Sequence, residues 1–249
     1  MPIPSDTVVG TTLSYDAARR LAWSVQAGVG LVLLLLGFGW VLVPATVPIA
    51  PAAVLIGYVV LARISASTAQ QSSATIQRVA VACGVVSAVV LIRALVIQYL
   101  GRTANNAIMV AIVFVLWLIP GVVAAARTGR IRDAAMASTL SAQIGSLANV
   151  GFILASYYVL RGTTFQEQFF RTEGTYEDFA RSGIGDFRTF VMGDLFGGAF
   201  FHLLLGGLAG ALLGTIGGGF MVRVNRMIKN DRLPNKQMEP TRRSRGRPE

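Results

Sequence analysis

Few residues of this chain are of types that do chemistry, and they do not gather. There is one cysteine, Cys83, and one histidine, His202. A zinc site built from Cys and His, an intramolecular disulfide and a catalytic pair of histidines are all excluded by that count. Arg93 stands well inside an apolar stretch, where a charge costs at least ~2.5 kcal/mol and normally finds a partner or water. Asp194 enters a later apolar stretch at a comparable depth. A rise of ~1.5 Å per residue brings the two within ~5 Å along the membrane normal, which makes an Arg93–Asp194 ion pair the candidate; the alternative has Arg93 snorkelling outward and Asp194 among headgroups. His202 follows Asp194 by two helical turns, some ~12 Å, too far for a direct hydrogen bond. A neutral imidazole bonding across a helix seam suits it better than a proton relay, which needs further ionisable groups.

Two patterns have helical spacing. Gly198, His202, Gly206, Gly210, Gly214 and Gly218 recur every four residues, continuing from Asp194. Missing side chains at that spacing let two helix backbones approach closely, so the stripe reads as a packing seam, for the chain's own helices or for a second copy. Thr139, Gln143, Ser146 and Asn149 fall within about a third of a helix circumference at 100° per residue. Such a polar arc must face the bundle or water, as interhelical hydrogen bonding or as the wall of a solute path.

Gly183-Ile184-Gly185-Asp186 resembles the GxGD element of the intramembrane aspartyl proteases, the prepilin peptidases and presenilin-like enzymes. The resemblance covers a handful of residues and implies that Asp186 is one of two aspartates activating water, the pair sharing a proton. Asp194 and Asp16 are the remaining candidates for the second, and neither is placed to serve. The signatures of serine hydrolases, zinc proteases, P-loops and dinucleotide folds are missing from the contexts they need, so no catalytic residue, cofactor or metal is expected.

The elements that must hold these residues are transmembrane helices. Of 249 residues, 53% are hydrophobic and 14% charged, against about a quarter charged in a soluble domain. The apolar residues form six blocks of membrane-spanning length: Leu21–Val43, Ala45–Ala62, Val79–Leu100, Ala107–Ala126, Ala134–Leu160 and Val191–Val222. Backbone groups in lipid must pair within their own segment, so the fold class is all-α, a polytopic bundle of about six spans across residues 21–222. Pro48 and Pro51 make the second block the least regular. The first exceeds the ~7–15 residues of a signal sequence core and reads as an anchor.

With residues 1–20 inside, sixteen Lys and Arg fall on the inner side and five on the outer, which places both termini in the cytoplasm of a cell-membrane protein, the inner membrane in a Gram-negative cell. Residues 223–249 hold nine of the 22 basic residues and read as a disordered tail attracted to anionic lipid headgroups rather than to nucleic acid. The outer loop, residues 161–190, sets seven aromatic residues among charges and reads as a lid or partner-binding ledge, with Thr175 capping a short helical turn. Together these residues point to an integral membrane protein acting through helix packing or association with a membrane partner or second copy. A subunit of a small-solute transporter or channel is the alternative, on the polar arc and Arg93, and an intramembrane enzyme the further one.

Overall fold

The structure, a computed structural model, describes residues 73–100, 102 and 105–231. Among them are six helices and no strand. Four are long: α1 (Ala74–Tyr99), α2 (Asn106–Thr128), α3 (Ile131–Val159) and α6 (Phe187–Asp231). Two are short, α4 (Thr164–Thr172) and α5 (Thr175–Ser182), and both lie in the α3–α6 connection. Each of the four long helices contains a stretch long and apolar enough to cross a membrane. The expected spans at Leu21–Val43 and Ala45–Ala62 lie outside the described residues, as does the chain beyond Asp231.

Local chemistry sets the ends. At the start of α2, Asn105 Oδ1 accepts the Ile108 N–H at 3.3 Å. At its end Gly129 adopts φ 67°, a left-handed conformation that favours glycine, and donates its N–H to the Ala125 carbonyl. With only Gly129 and Arg130 between them, α2 and α3 are antiparallel neighbours. Pro120 is buried inside α2, where its ring leaves the Leu116 carbonyl without the usual helical donor.

α3 is the hub, packed against α1, α2 and α6. Within the spanning stretch of α3, 67% is buried, against 22%, 28% and 39% for α1, α2 and α6. A helix enclosed by others can afford serines, a glutamine and an asparagine; the three around it keep large aliphatic residues outward, including Val89, Val115 and Leu212.

α6 differs from its expected bounds at both ends. It begins at Phe187, because Asp186 caps it, and runs unbroken through its glycines to Asp231. The basic stretch from Arg223, read above as the start of a disordered tail, therefore continues the helix for more than two turns. Nothing opposes it there: half-buried Val224 follows buried Val222, and the first proline comes at Pro234. At ~1.5 Å per residue, 45 residues span about 67 Å, more than twice the ~30 Å hydrocarbon layer.

Candidate functional site

The glycine stripe of α6 meets α3 backbone to backbone. A Cβ on Gly214 would lie 2.6 Å from the Ala134 carbonyl oxygen and 2.7 Å from the Ala135 Cα. One on Gly210 would lie 2.7 Å from the Ala142 Cβ and 2.9 Å from the Ser138 carbonyl oxygen, and one on Gly218 2.5 Å from the Ala134 Cβ. At Gly206 a Cβ would overlap the Ser146 hydroxyl. Gly198, expected to open the seam, has open space where its Cβ would be. Before Gly206 the two helices meet through large side chains instead: Val191, Met192 and Leu203 share a buried cluster with Val150, Leu154 and Tyr157 of α3.

Glycines outside the stripe make equal approaches. Gly121 of α2 leaves room for Ser138 and Gly214, a Cβ on Gly84 of α1 would lie 2.8 Å from the Ser141 carbonyl oxygen, and Gly145 leaves room for Ser87. Ser87 Oγ donates to the Gly84 carbonyl at 2.8 Å and accepts the Trp117 indole N–H at 3.1 Å, tying α1 to α2. Single glycines carry no periodicity, and only the small neighbours Ser87 and Ala88, one turn from Gly84, mark the place in the sequence.

All four members of the polar arc are buried: Thr139, Gln143, Ser146 and Asn149 are each 3% exposed or less. Thr139 donates to the Ala135 carbonyl at 2.8 Å, within its own helix. Toward the other end of α3 the arc reaches a cavity of about 200 Å3, bordered by Ser146, Asn149, Trp117 and His202, with Phe114 and Phe201 among its apolar lining. Asn149 Oδ1 has no hydrogen-bond partner among the described residues. His202 is exposed, stands edge-on to Phe201 and makes no hydrogen bond among the described residues.

The structure does not join Arg93 to Asp194. Among the described residues the ion pairs are Arg171–Glu167 and Arg181–Asp178. Arg93 is exposed on the face of α1 that carries Val89 and Val96, and α1 has no extended contact with α6. Matching depth says nothing of azimuth, which is why the candidate pair is not formed; both residues are exposed, as in the alternative. Asp194 lies instead among acids. Burial and then the Asp178 charge raise its pKa, and burial and then Asp194 raise that of Glu173. A raised acid favours folding most when protonated, so both groups contribute stability at low pH that is lost as pH rises through their elevated pKa values.

Asp186 is a helix cap. Its carboxylate accepts the Thr189 hydroxyl at 2.7 Å and the Thr189 N–H at 2.8 Å, and these bonds lower its pKa. A proton-sharing aspartate needs the opposite shift. The connection before it is an aromatic stack: Tyr176 lies on Phe187 at 5.0 Å, Phe170 and Phe179 meet Phe187 edge-on, and Phe169 stacks on Tyr99 of α1 at 4.3 Å. Thr175, expected to cap α5, is its first helical residue; left-handed Gly174 holds the cap position, and the side-chain cap is Thr163, which accepts the Gln166 N–H of α4. A group of three or more metal-ligating side chains does not occur among the described residues.

No family model, no curated protein and no solved structure matches the chain.

Proposed function

We propose that this chain is an integral membrane protein that works through packing and association of helices in the bilayer, with both termini cytoplasmic and the basic C-terminal residues held at anionic headgroups. One observation carries the reading. The Thr139 end of the polar arc is sealed: a Cβ added to Gly210 would lie 3.0 Å from the Thr139 Cα, and one added to Gly214 2.8 Å from the Cβ of neighbouring Ser138, which leaves no room for water. The seam is used within the chain, which leaves the opposite face of α6 for partners: Leu204, Leu208, Leu212, Ile216 and Phe220, every fourth residue and all exposed. A row of five large apolar side chains is also what a lipid-facing helix carries, and association puts a second helical membrane protein or a second copy there in place of lipid.

Single cysteines in a Cys83→Ser background, in native membranes, test this. Cysteine at Leu208 or Leu212 is expected to form interchain crosslinks, and cysteine at Thr139 to stay silent toward a water-soluble maleimide. Monomer at every outward position of α6 sinks the association reading.

The cavity beside Asn149 favours a second reading, a small-solute transporter or channel subunit. Its support is the unpartnered Asn149 oxygen and the adjoining His202. The same cysteine set discriminates: maleimide labelling that runs continuously through positions 139, 143, 146 and 149 from one aqueous side requires a path along α3.

A further inference from the structure

Four arginines lie in and around the connection between α3 and α6: Arg161, Arg171, Arg181 and Arg188. Two are already neutralised on exposed helical turns, Arg171 by Glu167 and Arg181 by Asp178. The other two, Arg161 and Arg188, belong to no ion pair among the described residues, and both line one cavity of about 250 Å3. Its remaining wall is Gln166, Tyr157 and the apolar group Phe170, Phe187 and Val191.

The wall is rigidly built. Gln166 is 7% exposed, donates its amide to the Tyr157 carbonyl at 3.2 Å and accepts the Gly162 N–H at 3.0 Å, which clamps the start of α4 to the end of α3. Phe170 and Phe187 meet edge to face at 5.5 Å. Two cations from different segments thus converge over a fixed aromatic floor. The acid beside them is Asp186: its carboxylate accepts hydrogen bonds from Thr189 in capping α6, forms no ion pair with Arg188 and feels the Arg188 charge only weakly.

We infer that this cavity holds the phosphate of an anionic phospholipid, with Arg161 and Arg188 on the phosphate oxygens and the glycerol and first acyl carbons against Phe187, beneath which Phe170 and Val191 are buried. Guanidinium groups match phosphate through paired N–H donors, and an oxyanion bridging two of them needs no further charge. Free phosphate shares the headgroup chemistry. A lipid is the source assigned, because the floor is apolar, half-buried Phe187 over buried Phe170 and Val191, and lies at the α6 end that leads to the membrane-spanning stretch at Phe201. The site lies at the α4–α5 end of the bundle, apart from the basic residues after Arg223 at the other end of α6.

The test is lipid retention by the full-length protein, purified in a neutral detergent with added phosphatidylglycerol or phosphatidylcholine and examined by native mass spectrometry. One phosphatidylglycerol is expected to remain bound in preference to phosphatidylcholine. Retention should fall about fivefold for each of Arg161→Ala and Arg188→Ala, the worth of one arginine near a lipid headgroup. The Arg171→Ala/Arg181→Ala double variant removes two charges from the same connection, twice the loss in either single variant, and should retain lipid as the parent does. Equal loss in that control, or no loss in the Arg161 and Arg188 variants, overturns the site. Displacement of the lipid by millimolar inorganic phosphate overturns the lipid as its source. Arg161 is exposed, so its variant keeps the test open if Arg188→Ala, at a half-buried position, does not fold.

Discussion

Between Ala134 and Ala142 the face of α3 that meets α6 is sealed backbone to backbone, whereas from Ser146 to Asn149 the same helix borders a cavity. Both stretches are polar, with Ser138 and Thr139 in the first and Ser146 and Asn149 in the second, and all four are buried. What differs is the helix opposite. α6 offers Gly210, Gly214 and Gly218 to the first stretch and Phe201, His202 and Leu205 to the second, with Gly206 at the boundary. Whether a polar residue in this bundle packs or lines space is therefore decided by the size of its neighbour.

Gly214→Leu should break the sealed half most severely. The atoms in the way are main-chain atoms of Ala134 and Ala135, which cannot step aside, so a loss of about 3 kcal/mol or more is expected, read as lowered membrane levels and an earlier denaturation midpoint in detergent. Gly206→Ala probes the boundary. Only the Ser146 side chain obstructs it: its hydroxyl can change rotamer, but its Cβ stays 2.9 Å away and the helices must part slightly, so about 1–2 kcal/mol is expected in the same assay. Asn149→Leu probes the open half: removing a buried, unpartnered carbonyl should leave stability unchanged or raise it by about 1 kcal/mol. A loss above about 2 kcal/mol would move Asn149 into the sealed class. Gly198→Leu, with open space at its Cβ, should stay within about 0.5 kcal/mol of the parent, and a larger loss would extend the seam beyond Gly206.

The helical architecture was legible because a membrane leaves so few options: blocks of about 20 apolar residues mark α1, α2 and α3 to within a few residues of their observed ends. The seam was legible as a face, since glycines four apart lie on one side of a helix, but not as a pair, because periodicity does not say which neighbour the face meets. The same gap undid the Arg93–Asp194 pairing, which rested on depth alone. Short-range chemistry misled once, at α5: Thr175 has the residue type and the acidic companion of a cap, yet Gly174 before it takes the cap position in a left-handed conformation. The convergence of Arg161 and Arg188 on one cavity had no sequence signal, because 27 residues separate them and only the folding of α4 and α5 brings them together.

The order in which the two seam helices are made has a cost in time. Gly206 leaves the ribosome 60 residues after Ser146, because α4 and α5 are synthesised in between. At ~5–20 residues per second that delay is about 3–12 s. Throughout it, α3 has α1 and α2 beside it but lacks the glycine face that will cover Ser146. α3 is thus the segment whose release into lipid must wait on translation, and slowing synthesis between residues 160 and 200 should lengthen its stay beside the insertion machinery.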